Sequence, residues 1–273
     1  KLNIARSSEE AKEQTKEFPN THLYEKEADM LEAFLDLIED ADILTGWNSE
    51  GYDIPYTVNR VAKVLSKDDT RRFCLWKQLP KKREYEKYGR KLETYDLVGR
   101  VHLDSLELYR KYTYEERHTY RLDAIGEQEI GETKTVYEGT LDELYKNDFK
   151  TFIEYNRQDV ALLDKLDQKL KFIDLSNELA HANTVLLQTT MGAVAVTEQA
   201  IINEAHGRGL QVPNRIKREP GTTAAAGAYV AFPKKGLHKW IGSMDLNSLY
   251  PSVIRALNMD PATIVGQLRP ADT

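Results

Sequence analysis

The 273-residue chain contains a single cysteine, Cys74, so an intrachain disulfide is excluded. One cysteine suits a reducing compartment, and its neighbours Phe73 and Leu75 favour the role of a small buried hydrophobe. The sequence has no run of about 18 apolar residues, so no transmembrane helix is predicted. Its first residues, KLNIARSSEEAKEQTKEF, lack an initiator methionine and the apolar segment of a secretory leader. We therefore expect a soluble protein and an internal fragment of a longer polypeptide.

Other patterns are also missing. The six histidines are scattered, and the sequence shows no Cys/His cluster with metal-ligand spacing, no internal repeat and no coiled-coil heptad. The formal net charge is −6, so a uniformly basic coat for nucleic acid is absent. The net charge does not exclude an enzyme whose acidic site holds metal ions. The length allows one large domain or two ordinary ones.

Hydrophobic periodicity predicts alternating helices and strands, which is typical of an α/β (α+β) fold. The helix DMLEAFLDLIEDA is followed by a buried strand, DILTGW, and by a loop leading into the helix IPYTVNRVAKVLS. The segment KKREYEKYGRKLETYDLVGRVHLD predicts a long exposed hairpin around Gly89. Short helices are expected at SLELYRKYTY and TLDELYKN, a long one over residues 151–172, and a helical region over 175–209. A linker rich in Pro and Gly precedes KWIGSMDLNSLYPSVIRALNM, which predicts a strand, a tight turn and a helix.

The long helix contains a carboxylate in its apolar stripe. The stripe predicted for TFIEYNRQDVALLDKLDQKL consists of Phe152, Tyr155, Leu163, Leu166 and Leu170. Asp159 occupies a position in this stripe, and burying a lone carboxylate costs roughly several kcal/mol unless it is paired, hydrogen-bonded or bound to metal. Asp159 is therefore either a structural aspartate that pairs with an arginine or caps a turn, or a functional one. The Tyr-x-x-x-Asp spacing alone does not decide between them.

Two further aspartates stand at predicted helix starts. Asp53 precedes a helix with Pro55 in its first turn, which suits an N-cap. It also lies at the mouth of a strand–loop–helix unit, where α/β enzymes bind their ligands. Asp245 ends the predicted buried strand WIGSMD, where helix-start N–H groups would bind a triphosphate and the aspartate a divalent cation. The alternative interpretation is that Asp245 only stabilises a turn or caps the helix.

Together these segments resemble the family B DNA polymerases, and most closely the T-even-type bacteriophage replicative enzymes. The segment DLNSLYPSVI resembles motif A, D-x-x-S-L-Y-P-S, through Asp245 and residues 248–252. The segment GWNSEGYDIPY resembles the second exonuclease motif, with Asn48 and Asp53 in place. Tyr155 and Asp159 match the third exonuclease motif, Y-x-x-x-D. Weaker likeness runs through YRLDAIGEQEIGETKTVYEG, so the resemblance covers nearly the whole chain.

The resemblance implies a 3′–5′ proofreading exonuclease with an RNase H-like fold. Asp53 and Asp159 would be ligands of two Mg²⁺ or Mn²⁺ ions about 4 Å apart. Tyr155 would orient the attacking water or the scissile phosphate, and Asn48 would bind substrate. Lys134 aligns with a lysine near the scissile phosphate, and a solvated surface lysine is the alternative.

The resemblance also implies the beginning of a polymerase palm. Asp245 would be one of two palm metal ligands. The backbone of Leu246, Ser248 and Leu249 would face the incoming triphosphate. Tyr250 would stack under the sugar and exclude a 2′-hydroxyl. The hairpin KKREYEKYGRKLETY resembles an element that separates the primer end from the template, and a merely charged, solvated hairpin is the alternative.

The expected organisation is an exonuclease domain over 1–171, a returning N-terminal-domain or linker segment over 172–215, and the start of the palm over 216–273. The family's D-x-E and D-T-D motifs and the lysine helix of its fingers are not found, and AAAGAYV only loosely resembles the usual Y-x-G-G element. The fragment alone is therefore expected to be inactive.

The implied partners are primer-template DNA, a single-stranded 3′ end, deoxynucleoside triphosphates, a sliding clamp and other replication proteins, with no membrane. The implied location is the cytoplasm of a bacterial host. Two other functions stay open. A free-standing nuclease would need an intact D-x-E motif, whereas a non-catalytic module would bind single-stranded DNA without cleaving it.

Overall fold

The computed structural model of the chain describes residues 2–87, 89–133, 139–214, 227–260, 262, 263, 265 and 266. Contacts divide the chain into two compact units, Lys1–Asn214 and Arg215–Thr273. The candidate residue Lys134 and much of the predicted linker, including the first alanines of AAAGAYV, lie outside the described residues. No helix in the described ranges is long and apolar enough to cross a membrane.

The first unit has the mixed helix and strand content predicted for an α/β fold. Its strands are β1 (Leu2–Ala5), β2 (Thr21–Tyr24), β3 (Ile43–Gly46), β4 (Lys81–Lys87), β5 (Arg90–Asp96) and β6 (Val101–Asp104). Its helices are α1 (Glu9–Lys16), α2 (Glu27–Leu37), α3 (Asp53–Val64), α4 (Ser105–Tyr112), α5 (Leu122–Ile130), α6 (Leu141–Asn147), α7 (Phe149–Leu170), α8 (Phe172–Asn183) and α9 (Ala193–Gly207). Single 3-10 turns form at Asp69–Phe73 and Leu187–Met191.

Three strand pairs make up the described sheets. β1 pairs with β2 and β3 pairs with β6, both in parallel, whereas β4 and β5 form an antiparallel hairpin. The predicted hairpin was therefore too long, because its last four residues, VHLD, form β6 and pair with β3. The hairpin ends at Asp96, and a turn that contains Gly99 at φ 82° precedes β6. In this turn the carbonyl of Leu97 accepts the N–H of Arg100 at 3.1 Å. Parallel pairing places Gly46 opposite Asp104, so the carboxyl ends of β3 and β6 coincide.

The buried face of α7 differs from the predicted stripe. Its buried residues are Phe149, Ile153, Leu162 and Leu166. The first two belong to a cluster with Ile4 and Ala11, and the last two to a cluster with Tyr109 and Ile125. Because α7 packs through this neighbouring face, Tyr155, Asp159 and Leu163 are only half-buried. These three side chains line a cleft instead of a core.

Cys74 occupies the environment predicted for it. It is buried in a cluster with Phe73, Leu31 and Val58. The backbone N–H of Val98 donates to its sulfur at 3.2 Å. Burial raises the pKa of the Cys74 thiol, so the neutral form is favoured, as expected for a structural cysteine.

The second unit contains helix α10 (Leu249–Ala256) among its described residues. The strand predicted over residues 240–245 is not formed, and these residues are exposed. A strand forms when a neighbour satisfies its backbone N–H and C=O groups. No strand is present in the described part of this unit to provide that ladder, so the prediction of a buried strand ending at Asp245 was wrong.

Close packing between α5 and α7 makes Gly126 sensitive to substitution. A Cβ at this position would lie 2.7 Å from Cδ1 of the fully buried Leu162 and 2.8 Å from the carbonyl oxygen of Glu132. We expect Gly126→Ala to lower the free energy of unfolding by about 1–3 kcal/mol, because overpacking exceeds the gain in helix propensity. Gly207→Ala is the control, since a Cβ there meets no atom within 4 Å.

Denaturant unfolding followed by circular dichroism measures both variants. A Gly126→Ala protein as stable as the wild type would show that α5 and α7 are not packed this closely.

Candidate active site

A cleft of about 1460 Å³ opens in the first unit beside α7. Its lining includes the end of β3 with the loop that follows, the first turns of α3 and α5, and one flank of α7. Four of the candidate residues line it: Asn48, Asp53, Tyr155 and Asp159. The fold therefore brings together residues of two motifs that lie far apart in the sequence.

The loop between β3 and α3 presents Asn48 and Asp53 to the cleft. Asn48 adopts a left-handed conformation with φ 60°, which asparagine tolerates better than most residues. Asp53 is the first residue of α3, while Tyr52 occupies the N-cap position, and no side chain caps the helix. The N-cap alternative for Asp53 is therefore not realised.

The electrostatics of Asp53 are unfavourable for its charged form. Although the residue is exposed on the cleft wall, the protein atoms around its carboxylate desolvate it and raise its pKa. A hydrogen bond from its own backbone lowers the pKa, and the negative charge of Asp104 raises it further. Added positive charge at this point would stabilise the carboxylate.

Asp104 was not among the residues predicted from the sequence. It ends β6, is only 6% exposed, and accepts three backbone hydrogen bonds. The donors are the N–H groups of Asn48 at 3.0 Å, Glu50 at 2.9 Å and Leu106 at 2.9 Å. Burial raises the pKa of Asp104, and these N–H groups act in the opposite direction. A sequence signal for Asp104 did exist. The segment HLDSLEL has the same strand–carboxylate–helix order that made Asp245 a candidate.

The same loop contacts a histidine of β6. Nε2 of His102 lies 2.8 Å from Oγ of the buried Ser49, whose hydroxyl also donates to the carbonyl of Gly46 at 3.0 Å. His102 lines the cleft. Burial lowers the pKa of its imidazole, and the nearby charges of Asp104 and Glu50 oppose this effect.

The base of the β4–β5 hairpin is bonded to this loop through Glu50. Arg83 forms ion pairs with Glu50 and, at 2.9 Å, with Asp96. The hydroxyl of Thr94, which is buried, donates to the carbonyl of Glu50 at 2.9 Å. The charged hairpin is thus fixed at its base to the loop that carries Asn48 and leads to Asp53.

Aromatic and cationic side chains form another part of the cleft lining. The indole N–H of Trp47 donates to the carbonyl of Tyr120 at 3.0 Å. The guanidinium of Arg110 lies 4.6 Å from the Tyr120 ring centroid and pairs with Glu107 at 3.0 Å. Such a wall suits the phosphates and bases of a nucleic acid strand.

The palm candidates lie in the second unit. Asp245, Leu246, Ser248, Leu249 and Tyr250 are consecutive or nearly so, and all are exposed, Tyr250 to 70%. Ser248 occupies the N-cap position of α10 with φ 51°, and its carbonyl accepts the N–H of Ser252 at 2.9 Å. Within the described residues, no group of three or more His, Cys, Asp or Glu side chains is arranged to hold a metal ion.

Comparisons with known proteins agree with these motifs. The family model described as DNA polymerase family B, exonuclease domain, matches residues 2–125, and that described as DNA polymerase family B matches residues 183–272. The DNA-directed DNA polymerase of Enterobacteria phage T4 is 32% identical over 251 residues, covering 90% of this chain and 27% of the relative. That of Escherichia phage RB69 is 31% identical over 229 residues, covering 84% of this chain and 25% of the relative. The DNA polymerase delta catalytic subunit of Mesocricetus auratus is 29% identical over 262 residues, covering 89% of this chain and 23% of the relative.

The chain therefore belongs to family B of the DNA polymerases, within the exonuclease domain and the start of the palm. This confirms the resemblance seen in the motifs. The chain spans about a quarter of the length of these relatives.

The half-buried imidazole of His102 makes stability depend on pH. Because burial lowers its pKa below 6.5, the unfolded chain takes up a proton that the folded chain does not. The contribution of His102 to the free energy of unfolding is fully present at higher pH. It is lost as the pH falls from about 6.5 towards the pKa of the folded state, and the free energy of unfolding then changes by at most about 1.4 kcal/mol per pH unit.

We expect the wild type to lose more free energy of unfolding than His102→Gln between about pH 7.5 and pH 5.5. Denaturant titrations of both proteins in the same buffers measure this difference. Parallel curves would show that the two proteins take up the same number of protons on unfolding.

Proposed function

We propose that this chain carries the proofreading site of a family B polymerase that synthesises and edits DNA. The cleft of the first unit would hydrolyse the 3′ end of a DNA strand, and the second unit would begin the palm that adds nucleotides. The convergence of Asn48, Asp53, Tyr155 and Asp159 on one cleft carries this proposal. The family membership and the names of the phage relatives support it.

The cleft residues fit a divalent cation of the Mg²⁺ or Mn²⁺ type. Carboxylate oxygens are preferred ligands of such ions, and Mg²⁺ often takes only one or two of them together with water and substrate phosphates. Asp53 and Asp159 would hold two ions in the presence of a DNA strand. The negative charge of Asp104 beside Asp53 adds to the attraction for a cation. When bound, the ions acidify the attacking water and neutralise charge on the leaving 3′ oxygen.

The protein's own side chains would position the strand. Tyr155 precedes Asp159 by one helical turn on the cleft-lining flank of α7, so its hydroxyl would orient the water or the scissile phosphate. Asn48 would bind the strand from the loop after β3, and Lys134 would contribute charge near the scissile phosphate. The wall containing Arg110 would accept the negatively charged backbone.

The second unit would supply the start of the polymerase site. Asp245 would be one of two palm carboxylates, and the backbone of Leu246 to Leu249 would face a deoxynucleoside triphosphate. The exposed ring of Tyr250 is available to stack under the sugar. In the whole protein we propose a primer-template as substrate, a sliding clamp and other replication proteins as partners, and the cytoplasm of a bacterial host as the location.

Single substitutions separate the two proposed sites. In the full polypeptide that contains this chain, we expect Asp53→Ala and Asp159→Ala to reduce magnesium-dependent 3′–5′ digestion more than about 100-fold and to leave primer extension unchanged. We expect Asp245→Ala to have the reverse effect. Asp164→Ala is the control for Asp159, because Asp164 is exposed on the same helix outside the cleft lining.

Gel assays of one labelled primer, with and without nucleotides, measure both activities. Digestion that survives Asp159→Ala, with only a lower melting temperature, would make Asp159 a structural residue and remove the exonuclease proposal.

For the 273-residue chain by itself we propose a second function, the binding of single-stranded DNA without catalysis. The described residues contain no three-ligand metal group, and the sequence lacks the D-x-E and D-T-D motifs. We expect this chain to bind a labelled oligonucleotide with an affinity that falls as salt rises, without magnesium-dependent cleavage or extension. Fluorescence anisotropy over a salt series, followed by gel analysis of the same samples, measures both properties. Cleavage by the isolated chain would show that its own carboxylates suffice.

A further inference from the structure

The loop that carries Asn48 has an unusual backbone, and one buried side chain, Asp104, accepts hydrogen bonds from two of its N–H groups. Asn48 adopts a left-handed conformation, which persists when the surroundings impose it. The carboxylate of Asp104 accepts the N–H groups of Asn48 and Glu50 and thereby fixes two of the loop's peptide planes. The parallel register of β3 and β6 places this carboxylate directly beside the point where the loop leaves the sheet.

The fixed loop determines in turn where α3 begins. The carbonyl of Asn48 accepts the N–H groups of Gly51 at 3.2 Å and Tyr52 at 3.1 Å. The carbonyl of Ser49 accepts the N–H of Ile54 at 2.9 Å. Asp53 lies between these bonded residues, so a shift of the loop would displace its carboxylate. A continuous series of hydrogen bonds thus connects the Asp104 carboxylate to the first turn of α3.

The arrangement uses both oxygens of the carboxylate. Oδ1 of Asp104 accepts the N–H groups of Asn48 and Leu106, and Oδ2 accepts that of Glu50. Through the bond from Leu106, Asp104 is also the N-cap of α4. An asparagine at this position would keep the size of the side chain and one acceptor oxygen. Its amide nitrogen would face the N–H of Glu50 as a second donor, and that contact would be lost.

We propose that Asp104 is a positioning residue for hydrolysis, which holds the loop of residues 48–50 and, through it, the Asp53 carboxylate. The proposal rests on the proposed exonuclease function of the cleft. Asp104 acts through the backbone of the loop and not on the strand itself. A purely structural role, as the cap of α4, is the alternative that an experiment must separate.

The test uses the full polypeptide that contains this chain, with Asp104→Asn, Asp53→Ala and a matched control. Asp148→Asn is the control, because Asp148 also caps a helix, α7, through the N–H of Thr151 at 3.1 Å, and it lies outside the cleft lining. Digestion of a single-stranded oligonucleotide is measured over a magnesium series and over a substrate series. Primer extension by the same preparation reports on folding.

We expect Asp104→Asn to lower kcat for digestion about 10–100-fold and to raise the half-saturating magnesium concentration, with the KM for the oligonucleotide and the rate of extension unchanged. Asp148→Asn should digest like the wild type. Wild-type digestion by Asp104→Asn, or a parallel loss of digestion and extension, overturns the proposal. If Asp53→Ala still digests, the exonuclease function itself has failed, whereas digestion lost in Asp53→Ala and intact in Asp104→Asn removes this inference alone.

Discussion

The parallel pairing of β3 with β6 is the constraint on which the candidate site depends. It places Gly46 opposite Asp104, so that the loop leaving β3 begins beside a buried carboxylate. Parallel strands end at the same edge of a sheet, which is where α/β proteins bind their ligands. The N–H groups of Asn48 and Glu50 then donate to the carboxylate of Asp104 at the end of β6. The position of this loop determines where α3 starts. A change in register by one residue would turn Asp104 away from the loop.

Helix α7 brings the second half of the site to the same cleft. Its buried face is divided between two clusters, one near β1 and one near α5, and both fix the rotation of the helix about its axis. Tyr155 and Asp159 consequently occupy the flank that borders the cleft. The close approach at Gly126 sets the distance between α5 and α7. Packing remote from Asp53 and Asp159 therefore helps to set their separation, and a catalytic site in this cleft would require such precision.

Local sequence patterns predicted many of the helices and strands of this structure. They did not predict which distant strands pair with each other. The positions of α3 and α7, to within two residues at each end, and the two strands of the hairpin follow from periodicity and from turn residues such as Gly89. Asp53 and Asp159 were predicted as site residues from the motifs, and both line the cleft. The role of VHLD as the partner of β3 was missed, because strand pairing across more than fifty residues leaves no local pattern. Asp104 was missed although HLDSLEL carries a local strand–carboxylate–helix pattern, because VHLD was assigned to the hairpin. The strand predicted before Asp245 has no described neighbour to complete it.

The charge distribution bears on how an acidic chain would act on DNA as proposed. With a net charge of −6, the chain as a whole repels a polyanion, and the aspartates of the cleft strengthen that repulsion locally. In the proposed site, bound divalent cations would reverse the sign of the field where the scissile phosphate would lie. Burial and the Asp104 charge both raise the pKa of Asp53, and a bound cation would oppose that effect. Such a site would hold a DNA strand at the carboxylates chiefly when cations are present, which couples strand binding to readiness for hydrolysis.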